Sequence, residues 1–236
     1  NPHIKEKMDL DNQVQKLRLL KSSFLSEKYA LEDKIIKYFP QKIAQIKGRI
    51  AALEVDVQTV VDHPKPTDDR FVGMEIGGVS YSERADAGKA IIEACQKMNS
   101  PDPIPLGKYR GFDLELQFNT TERNYEVAAK GESRHVVTLG DDASGNITRI
   151  DNLLERFEGY LSDNKRELEE TEHQFETAKI EVEKPFSRDE ELKEKTARLD
   201  ELNILLNLDK RENELADDEP DEGEVEPERK EKAQER

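Results

Sequence analysis

The sequence predicts an α+β chain: a long antiparallel helical hairpin of coiled-coil type, a stalk, carrying a small β-rich α/β insert at its tip. Three observations predict it. Apolar residues recur at heptad spacing in two long segments, one before residue 62 and one after residue 149. Glycine, proline and β-branched residues crowd the stretch between them. The two heptad segments also differ in charge: residues 1–61 hold 11 basic and 8 acidic side chains, residues 150–208 hold 9 and 17. That difference favours their lying side by side.

The first arm, residues 1–61, has Leu10, Leu17, Phe24, Leu31 and Tyr38 at strict sevens. Pro40 interrupts, and a kink or short break is expected there because proline removes a helical hydrogen bond. Beyond it Ile43, Ile46, Ile50, Leu53, Val57 and Val60 alternate steps of three and four, the cleanest seam in the chain. Residues 62–149 form the insert. In FVGMEIGGVSYSE the pair Gly77-Gly78 predicts a hairpin turn, since both residues tolerate positive φ. Ser82 is placed as the N-cap of an amphipathic helix ending near Met98. PDPIP is taken as a stiff connector, and GFDLELQFN, NYEVAAKGE and SRHVVTLGD as three strands. GDDASGN leads by a capping turn into the returning arm, residues 150–208, with one line Phe157, Asn164, Thr171, Ala178 and another Leu161, Leu168, Phe175, Val182. Pro185 interrupts this arm, and Leu192, Leu199 and Leu206 continue the stripe. Residues 209–236 are acidic and poor in apolar side chains, which predicts disorder or helix only by extension.

Composition narrows the function classes. With 34% hydrophobic and 38% charged residues, no tryptophan and a net charge of -16, one large core is not expected. No apolar run approaches the roughly 20 residues needed to cross a bilayer, and the opening NPHIKEKMDL is too charged for a signal peptide. The expectation is a cytoplasmic protein with no membrane partner. The chain has no phosphate-wrapping G-x-x-x-x-G-K-[ST], no G-x-G-x-x-G and no H-E-x-x-H, so neither cofactor nor catalytic residue is assigned. Cys95 has no second cysteine and His3, His63, His135 and His173 lie far apart, so no metal is assigned either. The insert's cationic and aromatic residues are the candidate contacts to DNA or a partner: Tyr109, Arg110, Arg123 and Arg134, on or beside predicted strands. Strands alternate exposed charge with buried aromatics in any case, so the pattern also suits a plain sheet.

NPHIKEKMDLDNQVQKLRLLKSSF at the start, SYSERADAG and YRGFDLEL in the insert, and EVEKPFSRDEELKEKTARLDELN late in the chain resemble the C-terminal region of large bacterial Swi/Snf-type DNA helicases. These are often fused to an adenine-specific DNA methylase and carried on mobile elements. The resemblance covers about residues 1–208. It implies that the first stretch leaves the helicase's second motor lobe for a long helix, and that SERADAG and YRGFDLEL are family markers without assigned chemistry. The family's ATP site, helicase motifs and N-P-P-[YF] motif have no match here, so this chain, opening on Asn1, reads as a non-catalytic fragment. Its implied partners are upstream helicase and methylase domains, with DNA at the tip and a monomer or weak dimer as its state. The alternative is a self-standing coiled-coil scaffold or oligomerisation module that touches no nucleic acid.

Overall fold

The computed structural model describes residues 2–68 and 70–217, with backbone alone for 209–217. It mixes helix with one six-stranded sheet. No described helix is long and apolar enough to cross a membrane. Helix α1 (Pro2–Asp33) is followed by a π-helical turn (Lys34–Tyr38) and α2 (Phe39–Asp62). The strands β1 (Met74–Ile76) and β2 (Val79–Tyr81) precede α3 (Arg84–Lys97). Then come β3 (Ile104–Tyr109), β4 (Phe112–Asn119), β5 (Asn124–Lys130) and β6 (Arg134–Thr138). Three helices close the chain: α4 (Ala143–Glu155), α5 (Phe157–Val182) and α6 (Asp189–Asp217). Two compact units result, one taking in α1 to Ala30 with α6, the other Leu31–Val182. The acidic tail expected over 209–236 lies outside the described residues beyond Asp217, and α6 takes in the part before it.

Within the first unit α1 and α6 run antiparallel, since partners further along α1 meet residues earlier in the late segment. Glu6 pairs with Arg198 at 2.9 Å and Lys21 with Asp189 at 2.6 Å, and Phe24 rests against Phe186. Val14, Leu17, Leu192 and Leu199 are buried between them, with Leu10 beside.

In the second unit α2 and α5 are likewise antiparallel. Phe39 stacks on Phe175, Lys47 meets Glu172, Arg49 meets Glu167, and Glu54 meets Lys165. Both lines of α5 reach the contact, and the polar one is the more deeply buried. Thr171 and Ala178 are buried, small enough for close approach, and the Thr171 hydroxyl donates to the Glu167 carbonyl. Asn164 accepts from Arg49 Nε at 2.8 Å.

The break expected at Pro40 takes a different form. Pro40 follows directly on the π turn, whose altered winding lets the helix run on without the hydrogen bond that proline does not donate. A π turn holds one extra residue. The line of sevens Leu10, Leu17, Phe24, Leu31 therefore continues not at Tyr38, which is 49% exposed, but at buried Phe39, Ile46 and Leu53. Pro185 falls in the connection between α5 and α6, where the chain does leave the helix.

The sheet is antiparallel throughout, in the order β2-β1-β3-β4-β5-β6. Gly77 and Gly78 hold the predicted hairpin at positive φ. Two expectations are corrected. The stiff connector is partly a strand, because β3 begins at Ile104, inside PDPIP, and pairs with both β1 and β4. The N-cap of α3 is Glu83 rather than Ser82, with no side-chain capping bond. Asp142 caps α4 as a capping turn requires, accepting from the Gly145 amide at 2.6 Å. α4 straddles the expected boundary at residue 150 and packs with α3 on one sheet face, where Ala87, Ile91, Ile147 and Ile150 meet Leu114, Leu116 and Val127. Gly88 lies where the two helices cross, and a Cβ there would stand 2.2 Å from the Ala143 carbonyl oxygen.

Gly88→Ala should therefore cost about 1–3 kcal/mol by overpacking backbone against backbone. Gly48→Ala, at an open site inside α2, should instead gain about 0.5–1 kcal/mol. Urea denaturation of the two variants checks both signs.

Candidate functional site

The two insert motifs singled out in the sequence meet in space. In YRGFDLEL, Tyr109 and Phe112 pair across β3 and β4, leaving Arg110 (φ 45) and Gly111 (φ 82) as a two-residue turn. Such a turn needs positive φ at both places, which glycine supplies without strain and arginine tolerates only when held. The turn lies on the end of α2: a Cβ on Gly111 would come within 2.8 Å of His63 and Thr59. Arg110 Nε donates to the His63 carbonyl at 2.9 Å, satisfying a helix-end acceptor. Its Nη1 reaches Asp151 at 3.1 Å and Glu155 at 2.9 Å, with the side chain 1% exposed.

Asp151 is the centre of this joint. It projects from the apolar face of α4 among Ile147, Ile150 and Leu154, and it is buried. Its Oδ1 also accepts from the Tyr109 hydroxyl at 2.9 Å. Arg84, from the SERADAG motif, places Nη2 at 3.9 Å from Oδ2 while Nη1 donates to Thr148. Oδ2 itself has no hydrogen-bond partner. Two guanidiniums thus lie against one buried carboxylate, Arg110 the nearer of them. Burial drives the Tyr109 phenol well above its ordinary range, and the Asp151 charge beside it pushes the same way.

A second buried carboxylate fastens α2 to the sheet's far end. Asp56 is fully enclosed and accepts from the Glu132 amide at 2.7 Å, the Ser133 amide at 3.0 Å and His135 Nε2 at 3.2 Å. The His135 ring rests on Phe157 at 4.0 Å between centroids. The β5–β6 turn is thus clasped by α2 on one side and α5 on the other. Neither aspartate was picked out from the sequence. The signal was present in both, a carboxylate interrupting the apolar stripe of an amphipathic helix.

The four candidate contact residues separate. Tyr109 and Arg110 are buried in the Asp151 joint, so their expected place at a contact surface is corrected: their hydrogen-bonding groups are spent inside the fold. Arg134 is exposed on the sheet face opposite α3 and α4, donating to Gln117 at 2.5 Å and lying 3.4 Å from Glu115. Lys130 binds the same Glu115 at 2.9 Å, and Lys130 first, then Arg134, hold its carboxyl below the usual range. Arg123 is exposed in the β4–β5 turn at φ 54, apart from the others. A cleft of about 510 Å³ borders the joint, floored by Val57, Val60, Leu154 and Phe157, but the guanidinium at its wall is Arg110, already bound. Among the described residues no His, Cys, Asp and Glu side chains group closely enough to hold a metal ion. No protein-family model, curated protein or solved structure matches the chain.

Asp151→Ala should destabilise the second unit by about 3–5 kcal/mol, because Arg110 is left charged, buried and without its main partner. Tyr109→Phe should cost only about 1 kcal/mol, the worth of one hydrogen bond. The phenol also sets an alkaline limit. Below its ordinary value of about 10, Tyr109 is protonated whether the chain is folded or not, and stability is whole. Above it the unfolded chain releases a proton that the folded chain retains, so stability falls as pH rises. Ultraviolet titration should show one of the six tyrosines ionising only with unfolding, and Tyr109→Phe should remove it.

Proposed function

We propose that this chain is the non-catalytic stalk-and-tip module of a Swi/Snf-type DNA helicase and methylase protein. Its antiparallel helical hairpin carries the sheet domain, and the sheet domain positions DNA or a partner for the upstream motor. The observation that carries the reading is the joint at Asp151. The two motifs that carry the family resemblance, SERADAG and YRGFDLEL, supply Arg84, Tyr109 and Arg110 to one buried carboxylate and to the end of α2. Residues spent on fixing a sheet domain to a helical pair suit a part that transmits position, and the Asp56 clasp serves the same end.

One observation favours the scaffold reading. Helix α1 exposes Met8, Leu19 and Tyr29, and α6 exposes Ile204 and Leu208, apolar side chains that a second helix could cover. Under the positioning reading the chain sediments as a monomer or weak dimer, whereas a scaffold gives a stable oligomer.

Fluorescence anisotropy with labelled duplex and single-stranded DNA tests the positioning reading. Binding should be weak, because the net charge of -16 opposes it, and should fall with added salt. Absence of affinity for either form at low salt would turn the reading towards docking on protein.

A further inference from the structure

The sheet ends in two edges that differ in what they leave unpaired. At one edge β2 is three residues long and offers little to a further strand. At the other, β6 pairs with β5 over all five of its residues without a bulge. Successive residues of an antiparallel strand turn their N–H and C=O to opposite sides. In this ladder Leu139 donates to the Tyr125 carbonyl and Gly131 to the Ser133 carbonyl, so the residues of β6 bonded to β5 are His135 and Val137. Arg134, Val136 and Thr138 turn their backbone groups outward, where no strand of the described residues takes them up. All three residues are exposed, Val136 by 39%. Sheets commonly blunt such an edge with a lysine, a proline or a bulge, and RHVVT has none of these. Its one cation is drawn back across the sheet: Arg134 reaches Gln117 and Glu115 on β4, which leaves the edge clear.

Register and charge select the occupant. Laid antiparallel against a second β6, with a two-fold axis at Val136, the strand sets Val136 opposite the partner's Val136 and Arg134 opposite the partner's Thr138. These are the residues whose backbone groups face out, so each such pair can exchange both of its hydrogen bonds. A slip of one residue would face them with His135 and Val137, whose groups are spent on β5, and a slip of two leaves one pair fewer. Side chains agree with the same register. Valine meets valine at the axis, a β-branched pair that suits a ladder. Arg134 meets no like charge: behind the partner's Thr138 stands the partner's Glu126, the residue that faces Thr138 on β5. Glu126 accepts from Gln117 and Asn119 and stands in no ion pair among the described residues, so a carboxylate without its own cation faces an arginine. We propose that a second copy of this chain docks edge to edge on β6, joining two sheets into one about a two-fold axis at Val136. The contact is far smaller than a standard interface, so the dimer is weak and reversible.

Sedimentation velocity of the whole chain, from micromolar to millimolar concentration, tests this. The wild-type chain should pass from monomer towards dimer as concentration rises. Val136→Lys sets two ammonium groups face to face on the axis and Val136→Glu two carboxylates, so each should weaken the dimer by at least about tenfold. Because Val136 is exposed, both variants should keep the wild-type circular dichroism. Mixed in equal amounts they should dimerise again, since each lysine then faces a glutamate, and only an axis at residue 136 restores pairing in this way. Val79→Lys, on the opposite edge, should change nothing. A chain that stays monomeric at the highest concentration overturns the proposal. So does a dimer that both Val136 variants leave intact, which moves the contact to the exposed apolar side chains of α1 and α6 and favours the scaffold reading. A mixture that fails to dimerise overturns the axis at Val136. DNA affinity enters none of these outcomes, so the positioning reading is tested separately.

Discussion

One buried ion cluster, Asp151 with Arg110, sets the relation between sheet and helices in the second unit. Arg110 can reach Asp151 only from a turn held at positive φ, and that turn can sit on α2 only because Gly111 leaves room for His63 and Thr59. Three elements that are distant in sequence, α2, the β3–β4 turn and α4, are thereby bound at one point. Buried ion pairs are poor sources of net stability, since desolvation offsets their attraction. Their strength lies in geometry, because a guanidinium that is displaced leaves its carboxylate buried and unpaired. Asp56 applies the same constraint at the β5–β6 turn, with backbone amides as its donors.

Helix register is the second constraint. A seam of sevens can pass a proline only if the helix adjusts its winding, and the π turn at Lys34–Tyr38 does so by taking in one residue. The apolar line thus shifts by one position, from Tyr38 to Phe39, and beyond the turn Phe39, Ile46 and Leu53 are buried. On α5 a line of Thr171 and Ala178 proves the better contact, because small side chains let the backbones approach while the hydroxyl bonds within its own helix.

Charge is arranged as locally as packing. On the open sheet face, Lys108 meets Asp113, and Lys130 and Arg134 share Glu115, so an exposed row of cations carries little net field. Among the described residues of the sheet domain, Arg123 and Arg149 depart from that pattern and stand in no ion pair. A charge count along the sequence treats all of these arginines alike.

The sequence by itself determined the periodic elements. Heptads in α1, α2 and α5, the Gly77-Gly78 hairpin, the capping turn at Asp142 and three of the sheet's strands follow from residue spacing, because spacing fixes which side chains share a face. It did not yield β3, whose prolines argue for a connector and whose pairing with β1 and β4 comes from residues far along the chain. Nor could it separate the candidate arginines. Arg110, Arg123 and Arg134 all stand beside strands, but the first is enclosed by α4, the second ends a turn, and the third faces outward. Which carboxylate meets which guanidinium depends on contacts between separate elements, Arg110 with Asp151 across 41 residues and Arg134 with Glu115 across 19, and no local pattern encodes them. Tertiary packing decided them, by burying one pair, exposing another and leaving a third arginine unpaired.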